Sequence, residues 1–163
     1  MTKRNLEAST DISATPEQVW KVVGNLKRMP RWSPQCVRMR LLGGVREGTY
    51  SLNWNRQGRK RWPSASKIVR IQPGEAIAFR TLTNNSVWSF EVTPTPTGCR
   101  LTERRTVPPA GTARVSATIV KYLLGGEDNF DEEMLDGMKA TLANIKAAVE
   151  QDNNVLAVEY KQN

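Results

Sequence analysis

Histidine is missing from the 163 residues. Its absence removes Ser-His-Asp and Cys-His catalysis, histidine-based zinc sites and imidazole general bases together. Any chemistry falls to carboxylates, Tyr, Lys, Arg or bound water. Cysteine is scarce: Cys36 and Cys99 are too few for a disulfide framework and lack metal-ligand spacing. Two reduced, half-buried thiols are expected. No apolar run approaches the roughly 20 residues of a membrane helix. No apolar stretch follows Met1-Thr2-Lys3-Arg4-Asn5, so no secretory leader and a cytoplasmic location are expected. No cofactor motif is present either.

Acidic residues are scarce in the first part of the chain. Residues 1–61 carry 13 Lys and Arg against 4 Asp and Glu, whereas residues 125–163 carry 3 against 9. The body is basic and the C-terminal segment acidic. Such a body attracts anionic partners, although a solvated surface neutralised in part by the acidic segment is the simpler reading. Length and an apolar content of 39% fit one globular domain with a real core.

Residues 5–13 read as an opening strand. Thr15-Pro16-Glu17-Gln18 then supplies an N-cap, a proline at the first helical position and a capping box. Val19, Val22, Val23 and Leu26 follow at helical spacing. Met29 and Trp32 suit a further short turn, punctuated by Pro30 and Pro34. From Cys36 to Val107, turn signals at 43–44, 57–58, 73–74, 84–85 and 97–98 separate six runs near 37–42, 48–55, 61–71, 75–82, 87–93 and 99–107. Short connections imply an antiparallel meander. A segment at 112–124 has helical spacing. A long helix is expected over about 129–151, with Phe130, Met134, Met138, Leu142, Ile145 and Val149 as one apolar stripe. Asp131, Glu132 and Glu133 crowd its first turn. Gly137 beside the stripe suggests a close approach. The domain is set at 1–151, with 152–163 as a tail.

The order strand, two short helices, six strands, long helix resembles the helix-grip fold of the START-like and polyketide-cyclase (SRPBCC) superfamily. Asp11-Ile12-Ser13-Ala14-Thr15-Pro16-Glu17-Gln18-Val19-Trp20 is similar to its opening strand and Pro-Glu-x-Val-Trp helix. Asn25 to Pro34 resembles its Leu-x-x-x-Pro-x-Trp-x-Pro turn. Ser51 and Asn53 depart from it, standing where an aromatic and a glycine are expected. The resemblance implies an α+β fold: a curved seven-stranded antiparallel sheet around the C-terminal helix, two short helices after strand 1, and a chamber between sheet and helix. A hydrophobic small molecule is then the expected partner, for a monomer or homodimer without a transmembrane segment.

Alternation assigns faces to that chamber. Trp88 and Phe90 share one face of their strand, and Phe79 and Thr81 one face of theirs. The family landmarks put Ser51, Asn53 and Asn55 inward and Tyr50, Leu52 and Trp54 outward; a slip of one residue swaps the two sets. Trp62, Met134, Met138 and Leu142 complete the candidate ligand-binding set. Trp88, Phe90 and Phe79 are more often core than ligand contacts, and Met134 and Met138 suit either a core gap or an adaptable pocket. Glu103 and Arg105 are the candidate catalytic groups, either an inward acid and base in an apolar cavity or a half-exposed ion pair on a strand. Three functions follow: a non-catalytic binder of a lipid, polyketide or aromatic metabolite; a cyclase, aromatase or dehydratase using Glu103 and Arg105 with Asn53, Asn55 and Tyr50; and an anionic polymer or membrane contact through the basic hairpin Arg56–Arg61. A charged hairpin tip that protects strand edges is the plain alternative to the last, and nucleic acid is the least expected partner.

Overall fold

The computed structural model describes residues 5–108 and 127–161, with side chains over 5–108 and 130–153. Strand β1 (Asn5–Ile12) leads into helix α1 (Pro16–Val23), a 3₁₀ turn (Leu26–Arg28) and helix α2 (Met29–Trp32). Six strands follow: β2 (Cys36–Leu41), β3 (Tyr50–Gln57), β4 (Lys60–Gln72), β5 (Ala76–Thr81), β6 (Val87–Thr95) and β7 (Gly98–Thr106). Helix α3 (Glu127–Lys161) closes the chain. The strands form one antiparallel sheet in the order β1-β7-β6-β5-β4-β3-β2. The α+β architecture and the meander expected from the turn signals are both present. The helical spacing at 112–124 lies outside the described residues.

Local chemistry explains the joints. Thr15 Oγ1 accepts from the Gln18 backbone N–H at 3.3 Å, and Gln18 Oε1 accepts from the Thr15 backbone N–H at 2.9 Å. That reciprocal box fixes the start of α1. Gly58, at φ +59°, opens the two-residue turn between β3 and β4, where a side chain would be strained. Gly137 leaves room for the Gln35 side chain, which donates to the Glu133 carbonyl at 3.3 Å.

Helix α3 runs ten residues beyond the expected end at 151. Polar contacts explain part of the extension. Asn153 donates to the Ser13 carbonyl at 3.3 Å and accepts from the Gln18 side chain. Glu150 accepts from the Ser13 N–H at 3.0 Å and from Lys146 at 2.8 Å. These bonds tie the helix to the corner between β1 and α1.

The expected stripe Phe130, Met134, Met138, Leu142, Ile145 and Val149 is buried throughout. Full burial of such a side chain contributes about 1.5–3 kcal/mol. Helix α3 packs chiefly on β1, with smaller contacts to α1, α2 and β7. The inner face of β3–β6 is therefore left largely free of α3, and space opens there. Both thiols are buried rather than half-buried, because Cys36 and Cys99 sit within the core.

Candidate functional site

A cavity of about 150 Å³ lies between the inner face of β3–β7, the α2 turn and the first turns of α3. Its walls differ in chemistry. On the β3–β4 side, Ser51, Asn53 and Asn55 all face inward, as the landmark register required. Asn53 donates to Ser66 at 3.0 Å, Asn55 to Ser64 at 2.8 Å, and the Ser51 and Ser66 hydroxyls lie 2.6 Å apart. Each strand supplies small polar groups at alternate positions, so a ladder of hydrogen bonds crosses the pair. Asn53 Oδ1 is buried and has no partner among the described residues. The β5–β6 side is aromatic: Phe79 pairs across to Trp88, and Ile77 to Phe90.

Glu103 and Arg105 come from β7 at the floor. Glu103 sits opposite Phe90 on one neighbouring strand and Ala8 on the other. It is only 6% exposed. These apolar neighbours strip water from the carboxyl, and burial pushes its pKa up to about 8. At neutral pH it is mostly a protonated acid, able to donate as well as accept. Its Oε2 is buried and unpartnered among the described residues. Such a group lowers its free energy by finding an oxygen or nitrogen on a ligand.

The sequence expectation of a Glu103–Arg105 pair holds for the face and fails for the partner. Both side chains point inward, which rules out the half-exposed surface pair. Arg105, however, pairs with Asp131 of α3, Nη1 to Oδ1 at 3.3 Å, with both side chains 9% exposed. Its guanidinium also lies 6.0 Å from the rings of Trp88 and Phe130. Burial lowers the Arg105 pKa, and Asp131 opposes that shift. Asp131 therefore does more than favour the helix dipole. Twenty-six residues of chain separate the partners, so strand spacing held no sign of the pair.

The remaining candidates divide cleanly. Asn53, Asn55, Trp62, Phe79, Thr81, Trp88, Phe90, Glu103, Arg105 and Met134 line the cavity. Ser51, Met138 and Leu142 do not: Ser51 is consumed in the hydroxyl ladder, and the other two lie deeper in the α3 stripe, at 1% and 2% exposure. Tyr50, included with the enzyme candidates, points outward and cannot reach the floor. Sequence reading missed Met29, Met39, Cys36 and Ser64 as lining residues. Met29 and Met39 carry no motif; their role follows from where α2 meets β2. Burial pushes the Cys36 thiol up to about 11, which keeps it neutral and poorly nucleophilic. The basic residues Arg56, Arg59, Lys60 and Arg61 are exposed around the β3–β4 turn, away from the cavity floor.

A sheet wrapped on a long C-terminal helix, with a chamber between them, defines a helix-grip protein. The family described as polyketide cyclase/dehydrase and lipid transport matches residues 3–150, and the chain belongs to that family. No curated protein matches it by sequence. Solved structures of the same fold include the di-domain ARO/CYC StfQ from the steffimycin biosynthetic pathway, at 15% identity and a TM-score of 0.71 over 93% of this chain. The chain spans 52% of StfQ. A polyketide-cyclase-like protein of Corynebacterium glutamicum matches 91% of this chain and 92% of its own length, at 20% identity and TM-score 0.62. A protein of Thermus thermophilus matches 91% and 98%, at 13% identity and TM-score 0.68. Among the described residues, no helix is long and apolar enough to cross a membrane.

Proposed function

We propose that the chain binds an apolar, oxygen-bearing small molecule in this cavity, with Glu103 donating a hydrogen bond to the ligand oxygen. The carrying observation is the buried Glu103 carboxyl, whose Oε2 has no partner among the described residues, facing a chamber with one aromatic and one amide wall. The ring-bearing part of the ligand would lie on Phe79, Trp88 and Phe90, and its polar end would meet Glu103 and Asn53. A cavity near 150 Å³ takes about one ring. Larger ligands need the 300–1,000 Å³ typical of drug-sized sites. Met29, Met39 and Met134 line the space, and their unbranched chains re-pack readily to enlarge it.

A second reading, acid–base chemistry of the cyclase or dehydratase kind, is favoured by the same carboxyl. A group with a pKa near 8 holds its proton at neutral pH and gives it up readily. Titration with mono- and bicyclic phenols and aryl ketones, followed by tryptophan fluorescence, tests the binding. Saturable quenching is expected, with about tenfold weaker binding for Glu103→Leu and near-normal binding for Glu103→Gln. Absence of saturable binding across the panel contradicts the proposal. Turnover in the wild type that Glu103→Gln abolishes without loss of affinity selects the enzymatic reading.

A further inference from the structure

The outer face of the sheet carries a second feature unrelated to the cavity. Strands β2, β3, β4 and β5 contain no Asp or Glu. On β3, Tyr50, Leu52 and Trp54 are 46%, 53% and 43% exposed on one face. Pairing shows what surrounds them. Trp54 lies between Arg38 and Pro63, and Leu52 between Arg40 and Ala65. Tyr50 faces Lys67, whose Nζ stands 5.3 Å from the ring. Leu42 and Leu82, bonded through their backbones to Tyr50 and Ala65, extend the apolar surface at its margins. Arg56 pairs with Arg61 at the hairpin end, and Arg80 pairs with Lys67 at the other. The result is an apolar centre inside a ring of six cations.

The far end of the same face is built differently. There Arg100 is paired with Asp11 at 2.8 Å, and Arg104 with Glu7 at 2.5 Å and with Glu91. Among the described residues, none of the six cations around the β3 stripe has a carboxylate partner. Exposed apolar patches fringed by polar groups mark interaction sites, and unneutralised cations call for an anionic partner.

We infer that this outer face docks on an anionic lipid bilayer, with Leu52 and Trp54 seated at the boundary between headgroups and acyl chains and the arginines among the headgroups. Trp and Tyr favour that interfacial depth, and each cation near an anionic surface strengthens attachment. Two other occupants fit less well. Single-stranded nucleic acid needs closely spaced aromatic platforms. Here a leucine stands between the two rings, which are four residues or about 13 Å apart along the strand. A second copy packed face to face brings two rings of six cations around one apolar centre.

The test is co-sedimentation of the full chain with vesicles of phosphatidylcholine alone and of equimolar phosphatidylcholine and phosphatidylglycerol. Binding is expected only to the anionic vesicles, and it weakens as salt is raised. The double variant Arg38→Gln/Arg40→Gln is expected to lower the partition coefficient roughly thirtyfold. Lys139→Gln, on exposed α3 surface, leaves it unchanged. Brominated acyl chains quench wild-type fluorescence more than that of Trp54→Phe. These surface variants keep the wild-type thermal midpoint. No binding to anionic vesicles overturns the inference. So does binding that Trp54→Phe and the arginine pair leave untouched, salt-sensitive binding to an oligonucleotide without vesicle binding, or a dimer in sedimentation velocity that the stripe variants dissociate.

Discussion

Glu103 stands between Phe90 and Ala8 across two strand pairings, and those neighbours set the state of its proton. Its folded pKa is about 8, against an ordinary value of 4.5. Between these values the folded chain holds a proton that the unfolded chain has released, so stability falls as pH rises through that window. Above pH 8 the full penalty of a buried charge is present, on the order of 5 kcal/mol. Urea unfolding is expected to show this decline in the wild type and its absence in Glu103→Gln. Parallel pH profiles for the two proteins contradict it. Asp131 gives a second residue-scale outcome. Asp131→Asn leaves the Arg105 charge buried without its partner and is expected to cost about 3–5 kcal/mol. Removing both charges with Arg105→Met/Asp131→Leu is expected to cost less than the sum of the single changes, read in the same denaturant midpoints. Glu103 was legible as a candidate from strand alternation. Asp131 was not, because only the folded chain brings α3 onto β7.

Elements were legible to the extent that turn chemistry marks them. The capping box located α1, and Gly or Asn turns located the strand boundaries within a few residues. Strand β3 shows where hydrophobicity misleads: its apolar residues face outward and its amides inward. Only the family resemblance implied this register, and alternation alone left the two faces interchangeable. Part of the extra length of helix α3 rests on the bond from Asn153 to Ser13, a contact between residues 140 apart. Glycine positions separate by cause. Gly98, at φ +151°, opens β7 with the place of a Cβ only 2.2 Å from the Ile12 carbonyl. Gly98→Ala is therefore expected to destabilise by well over about 1 kcal/mol. Gly44 has nothing within 4 Å and no positive φ, so Gly44→Ala is expected to be near neutral. Thermal midpoints of the two variants decide the matter; equal midpoints contradict the packing at the β1–β7 corner.

On the scale of the whole molecule, α3 covers one end of the sheet and leaves the other end to build a chamber. The same sheet carries polar and aromatic walls inside and a cationic, apolar face outside. The charge split read from the sequence maps onto this arrangement, with basic strands β2–β5 and the acidic segment in α3. The nature of the chamber was legible only through family resemblance, since composition does not distinguish a lined cavity from a filled core. Native mass spectrometry of protein purified from its own source tests the chamber most directly. One apolar, oxygen-bearing molecule per chain, released on unfolding, is expected. Protein that is consistently empty, with a thermal midpoint unmoved by aromatic and acyl compounds, would contradict it.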